Sequence, residues 1–183
     1  MNQLRHNNQS GFTLVEVLIT SFIFSIIMLS VSGLFISILA NERRAFAAQA
    51  IQENGLFIME LMSREIRVSQ IRAADQNPPG DSPGCTLTSL TIDHPVNGTV
   101  TYSLNGSTGV LQRTAGGFTS DLTSSTVSFS RLNFCLLGSD PTDQKQVRVA
   151  ILASVRNKTG KDILTFNLET AVTSRNLESE FTR

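Results

Sequence analysis

A single carboxylate stands where chemistry is expensive. In the run GFTLVEVLITSFIFSIIMLSVSGLFISILA, which starts at Gly11, Glu16 is the one ionisable side chain between Phe12 and Ala40. Placing an acid within an apolar helix in lipid costs about 2.5–3.5 kcal/mol, so such a group turns toward a partner, a cavity or a neighbouring chain. It also needs a cation to neutralise it, and the flanking arginines, Arg5 and Arg43, stand well outside the run. Two cysteines, Cys85 and Cys135, are the other reactive pair, and both lie in the polar C-terminal part. They are either two buried thiols or a disulfide, and an exported domain of this modest size favours the disulfide. If formed, it closes a loop of about 50 residues, to which chain-entropy bookkeeping assigns about 4 kcal/mol as an upper figure.

Other chemistry is absent from the sequence. The two histidines, His6 and His94, are far apart, and neither Cys-x-x-Cys nor His-Glu-x-x-His spacing occurs, which excludes the common zinc patterns. No Gly-x-Ser-x-Gly elbow, Gly-x-Gly-x-x-Gly turn or P-loop is present. Asp140 and Asp143 flank Pro141 and read as a solvated turn rather than a calcium loop. No catalytic residue, metal ligand or cofactor site is therefore assigned. Lys and Arg number 15 against 15 Asp and Glu, with no basic patch of the kind that binds nucleic acid.

The elements that position Glu16 follow from hydropathy. A helix needs about 20 apolar residues to cross the hydrocarbon core, and the run 12–40 exceeds that. It is also about twice the apolar length of a cleaved secretory signal, and Ile38-Leu39-Ala40 is a poor cleavage site. Beyond Glu42-Arg43-Arg44, the residues Ala47, Ala50, Ile51, Phe57, Ile58, Leu61, Met62 and Ile66 recur near i, i+3, i+4 spacing. No proline occurs before Pro78, so one nearly continuous helix is expected from Phe12 to about Ala73, with Gly33 and Gly55 as its weak points.

The cluster Asn77-Pro78-Pro79-Gly80-Asp81-Ser82-Pro83-Gly84 then breaks the helix near Asp75. Runs rich in Val, Ile, Thr, Phe and Leu at 87–92, 99–104, 110–113, 126–137, 147–155 and 163–172 read as strands. Turns are expected at Asn105-Gly106-Ser107-Thr108-Gly109 and at Asn157-Lys158-Thr159-Gly160. The fold class is α+β: a long helix, apolar over 12–40 and amphipathic over 41–74, packed on an antiparallel sheet formed by 75–183.

Gly11-Phe12-Thr13-Leu14-Val15-Glu16 resembles the processing motif of type IV prepilins and type II secretion pseudopilins. The resemblance implies a leader of residues 1–11, cleavage between Gly11 and Phe12 by a membrane-embedded prepilin peptidase, and N-methylation of Phe12. It also implies that Glu16 sets register in a filament by meeting the N-terminal amine of an adjacent subunit. Removal of Arg5 with the leader leaves no other cation nearby.

Glu53-Asn54, Ser63-Arg64-Glu65-Ile66-Arg67 and Thr170-Ala171-Val172-Thr173-Ser174-Arg175-Asn176 are similar to J-type minor pseudopilins and PilW-like minor pilins. The expected partners are other pilin or pseudopilin subunits, the peptidase and methyltransferase, and an inner-membrane assembly platform. Charge flanking the apolar run is nearly balanced, so orientation rests on the cysteine-bearing sheet, which belongs outside the cytoplasm. The implied function is a non-enzymatic minor subunit that initiates or caps a filament. The alternative is a tip adhesin or DNA-uptake subunit using loops at 75–84 and 114–125.

Overall fold

The computed structural model describes residues 11–139, 147–158 and 163–174. The chain divides into two units, Met1–Arg43 and Arg44–Arg183, and helix α1 (Leu14–Val68) contributes to both.

In the first unit the helix presents bare hydrocarbon. An 18-residue window has a mean hydropathy of 2.5 with none of it buried, which makes the helix long and apolar enough to cross a membrane. Its hydroxyls are turned inward on their own backbone. Ser25 donates to the carbonyl of Ser21 at 2.8 Å, Ser32 to Met28 at 2.8 Å and Ser37 to Gly33 at 3.1 Å. A hydroxyl so satisfied exposes little unpaired polarity to an apolar solvent.

In the second unit α1 buries Ile51, Gly55, Ile58, Met59, Met62 and Ile66, one stripe at helical spacing. Phe57, expected on this face, is instead 61% exposed, because Gly55 and Met59 occupy the turns that meet the sheet. Gly55 is where the helix comes closest to its support: a Cβ there would lie 2.5 Å from Leu168 Cδ1 and 3.6 Å from Val155 Cγ2. The residue read as a weak point is thus a close contact, where an added Cβ would require the end of the Leu168 side chain to shift. The helix stops at Val68, about five residues before the expected end, as the backbone of Gln70 leaves to pair with Asp93. Those two bonds measure 2.9 and 2.8 Å. A short 3-10 turn, Ala73–Asp75, follows.

The antiparallel sheet region is divided into two four-stranded sheets. The first orders β1 (Ser82–Leu87), β6 (Val127–Leu137), β7 (Arg148–Asn157) and β8 (Thr165–Thr173) as β1-β6-β7-β8. The second orders β2 (Ser89–His94), β3 (Gly98–Asn105), β4 (Val110–Ala115) and β5 (Phe118–Asp121) as β2-β3-β4-β5. The expected strand 87–92 is therefore two strands that bend at Thr88 and enter different sheets. β5 was not anticipated, although Gly116-Gly117 marks it. Their φ values of 56° and 82° make the left-handed two-residue turn that suits a hairpin, and β5 pairs Phe118 with Ala115 directly after it. The turn at 157–160 and the end of the motif at Arg175-Asn176 fall partly outside the described residues.

Both sheets and the helix share one core, in which Tyr102, Phe129, Phe134, Leu90, Leu111 and Ile151 are buried with the α1 stripe. β6 crosses over β2, β3 and β4, and the Phe129 N–H donates to the Gly109 carbonyl at 2.8 Å, tying one sheet to the other. The outer edge of β2 is closed by a side chain. Gln76 donates to the Thr91 carbonyl at 2.7 Å and accepts from the Thr91 N–H at 3.1 Å, as a strand residue would.

Cys85 and Cys135 form a disulfide, separated by 50 residues in sequence. It joins β1 to β6 where their ladder is irregular, between the pairs Ser82↔Leu136 and Leu87↔Phe134. Cys85 adopts a φ of 56°, a region that costs an L-residue about 1–2 kcal/mol. Asp81 adds a clasp beside it by accepting from the N–H groups of Gly138 and Ser139, both at 2.9 Å, and from the Ser139 hydroxyl. Burial alone would raise the Asp81 pKa, but the bonds from Ser139 and Gly138 outweigh it and hold the carboxyl below its ordinary value.

Replacing both cysteines by serine is expected to lower stability by up to about 4 kcal/mol, the loop-closure figure for a separation of this size. Urea denaturation of the full chain in detergent, followed by circular dichroism, measures it. An unchanged midpoint would show that the β1–β6 ladder and the Asp81 clasp suffice without the bond.

Candidate functional site

The acidic motif sits at the start of α1. Thr13 precedes the first helical residue, and its Oγ1 accepts the backbone N–H of Glu16 at 3.3 Å, while the Val17 N–H donates to the Thr13 carbonyl at 3.3 Å. Thr13 is therefore the N-cap, and Thr13-x-x-Glu16 has the spacing of a capping box. The Thr13 cap was legible in the sequence as a threonine three residues before an acid. A carboxylate in the first turn also meets the positive end of the helix dipole.

Gly11 and Phe12 lie ahead of the cap in exposed, non-helical backbone, and Phe12 is 81% exposed. The Gly11–Phe12 peptide bond thus lies outside the helix. Among the described residues no side chain bonds the Glu16 carboxylate. Arg5 and His6 lie outside the described residues.

A second acid on the same helix gives the contrast. Glu65 has a side chain only 18% exposed, and it faces Arg113 of β4 and Tyr102 of β3. Arg113 donates from Nη2 to Glu65 Oε1 at 2.9 Å and from Nε to Oε2 at 3.1 Å, a two-pronged pairing that fixes direction as well as charge. The Tyr102 hydroxyl donates to Oε2 as well. Burial by itself would raise the Glu65 pKa, but the hydrogen bonds from Arg113 and Tyr102 and the arginine charge outweigh it and leave it below the ordinary value. The same contacts push Arg113 up, led by the bond to Glu65, and Tyr102 up, led by its burial. This cluster was not among the expected sites. Arg113 and Glu65 are 48 residues apart, and the available signal was an acid beside Ile66 on the flank of the apolar stripe.

The other expected features resolve as follows. The segments 75–84 and 114–125, read as ligand loops, are partly sheet: Ser82-Pro83-Gly84 belongs to β1, Thr114-Ala115 to β4 and Phe118–Asp121 to β5. Asp140 and Asp143 fall outside the described residues. No group of three or more His, Cys, Asp or Glu side chains among the described residues could hold a metal ion.

Comparison with known families matches residues 6–32 to the prokaryotic N-terminal methylation motif. The match covers the motif and the first turns of α1, and it supports a type IV pilin-like protein, a pilin or pseudopilin processed by prepilin peptidase. No curated protein matches the chain, and no solved structure does. The motif together with the apolar helix fits anchoring in the inner membrane with the C-terminal unit outside, and it fits a structural subunit.

Glu65 makes a pH prediction whose sign is fixed. A carboxyl with a folded pKa below its unfolded one contributes stability that is complete above the unfolded value, about 4.3, and is lost as pH falls through the folded value. Glu65→Ala is expected to cost about 1–3 kcal/mol at neutral pH by leaving Arg113 and Tyr102 unpaired. Glu65→Gln is expected to flatten the acid limb of stability against pH in denaturation curves. An acid limb parallel to that of the parent would remove Glu65 from the account.

Proposed function

We propose that the chain is a minor subunit of a type IV pilus or type II secretion pseudopilus that helps to initiate or cap the filament. In this reading residues 1–11 are the leader, 12–40 the half of the helix stored in the membrane and then packed in the filament, 41–74 the amphipathic half, and 75–183 the sheet domain. Prepilin peptidase cuts between Gly11 and Phe12, and the new amine of Phe12 is methylated. Glu16 then sets register against the amine of an adjacent subunit.

The observation that carries the reading is the pairing of an exposed Gly11–Phe12 bond with a first-turn carboxylate that no described side chain bonds, at the head of a fully exposed apolar helix. Further support comes from the contrast with Glu65, whose charge is met within the chain. An apolar helix with no cover of its own exchanges lipid for neighbouring helices at little net cost, since both solvents are apolar.

Two measurements test this. Mass spectrometry of native material is expected to find a mature chain beginning with methylated Phe12; Met1 retained, or a start beyond Ala40, would overturn the processing. Glu16→Ala is expected to stay in the membrane fraction, since removing the acid saves about 2.5–3.5 kcal/mol of insertion cost. It is also expected to be absent from sheared filaments. Recovery of the variant in filaments at parental level would remove Glu16 from assembly.

A further inference from the structure

The hairpins at the two ends of β3 are closed by the same device with different acceptors. In the β3–β4 turn, Asn105 Oδ1 accepts from the N–H groups of Ser107 at 3.1 Å and Thr108 at 3.4 Å, and Gly109 follows with a φ of 68°. In the β2–β3 turn, His94 Nδ1 accepts from the N–H groups of Val96 and Asn97, both at 3.2 Å, and Gly98 follows with a φ of 66°. In both, the side chain of the first residue caps the second and third residues after it, and a glycine in the left-handed region completes the turn. The chemistry of the two acceptors differs. An amide oxygen keeps its lone pairs at every physiological pH, whereas an imidazole nitrogen does not.

The two N–H groups aimed at Nδ1 fix the neutral ring with its hydrogen on Nε2. A proton can then add only to Nδ1, turning the acceptor into a donor that faces two donors. Protonation and the capped turn are therefore mutually exclusive. The charged and titratable groups around the ring are Asp93 beside it on β2 and Glu65 of α1, whose carboxylate interacts electrostatically with His94. Arg113 of β4 and Tyr102 of β3 are both bonded to Glu65, and Arg72 follows the Gln70 that pairs with Asp93. His94 is the one histidine after residue 11.

We propose that the β2–β3 hairpin is a proton-sensitive tip: adding a proton to His94 releases the N–H groups of Val96 and Asn97 and loosens residues 95–97, while the Asn105 hairpin stays closed. The tip carries Val96 at 84% exposure, so acid converts a fixed apolar projection into a loosened one. The backbone pairing of Asp93 with Gln70 anchors the base of this hairpin to the end of α1, which confines the change to the turn.

Amide hydrogen exchange of the full chain in detergent micelles, corrected for intrinsic rates, reads the change directly. Between about pH 8 and about pH 5, protection of Val96 and Asn97 is expected to fall about tenfold, the loss of one or two net hydrogen bonds. Ser107 and Thr108 should hold constant. His94→Asn supplies an acceptor that cannot titrate and is expected to keep protection at both pH values, while His94→Ala loses it at both. A parallel response of the two hairpins in the parent, or a pH dependence that survives in His94→Asn, would overturn the proposal.

Discussion

The apolar stripe of α1 from Ile51 to Ile66 is the constraint that the second unit is built around. A helix can bury only one face, and here two sheets share it. The first sheet approaches at Gly55, where β7 and β8 come within van der Waals range of the helix backbone. The second is held at Glu65 by a charged pair and a tyrosine hydroxyl. Close packing needs no particular partner and supplies most of the cohesion. The two-pronged bond from Arg113 supplies direction, since a sliding helix would leave a half-buried charge unpaired. The helix thus meets one sheet by shape and the other by electrostatics.

The same helix faces a different solvent in the first unit, and its two carboxylates express the difference. Glu65 is surrounded by donors within its own chain, so its charge adds to the stability of the fold. Glu16 stands on exposed helix in the first turn, where the helix dipole favours its carboxylate and no described side chain bonds it; the Thr13 hydroxyl accepts only its backbone N–H. Hydroxyls along this part donate to the carbonyls a turn earlier, so the surface that remains is apolar. Such a surface suits lipid or the face of another apolar helix better than water.

Control of strand edges is a second theme. The outer edge of β2 is sealed by Gln70 backbone and by the Gln76 amide, which together occupy the hydrogen-bonding groups of Asp93 and Thr91. β1 is bulged and stapled to β6 by the disulfide, with Asp81 clasping the end of β6. Both devices act where a strand would otherwise offer unpaired backbone, and both use residues between the end of α1 and the start of β1: Gln70 and Gln76 in the first, Asp81 in the second. That segment is therefore an edge-sealing strap as well as a helix stop.

Hydropathy and short-range chemistry were legible from the chain alone. The apolar run with its one acid, the amphipathic continuation, the two cysteines outside the helix and five of the strands rest on local pattern. Local pattern survives in any tertiary context because burial and turn geometry act residue by residue. Gly116-Gly117 and Thr13-x-x-Glu16 were equally local and announced β5 and the helix cap, had they been weighed. What only the tertiary structure decided depends on residues far apart in sequence. The bend at Thr88 that sends β1 and β2 to different sheets, the close approach at Gly55 and the exposure of Phe57 all follow from which strands lie under the helix. The meeting of Glu65 with Arg113 has the same origin: a glycine or an acid carries no mark of its partner until packing brings the two together.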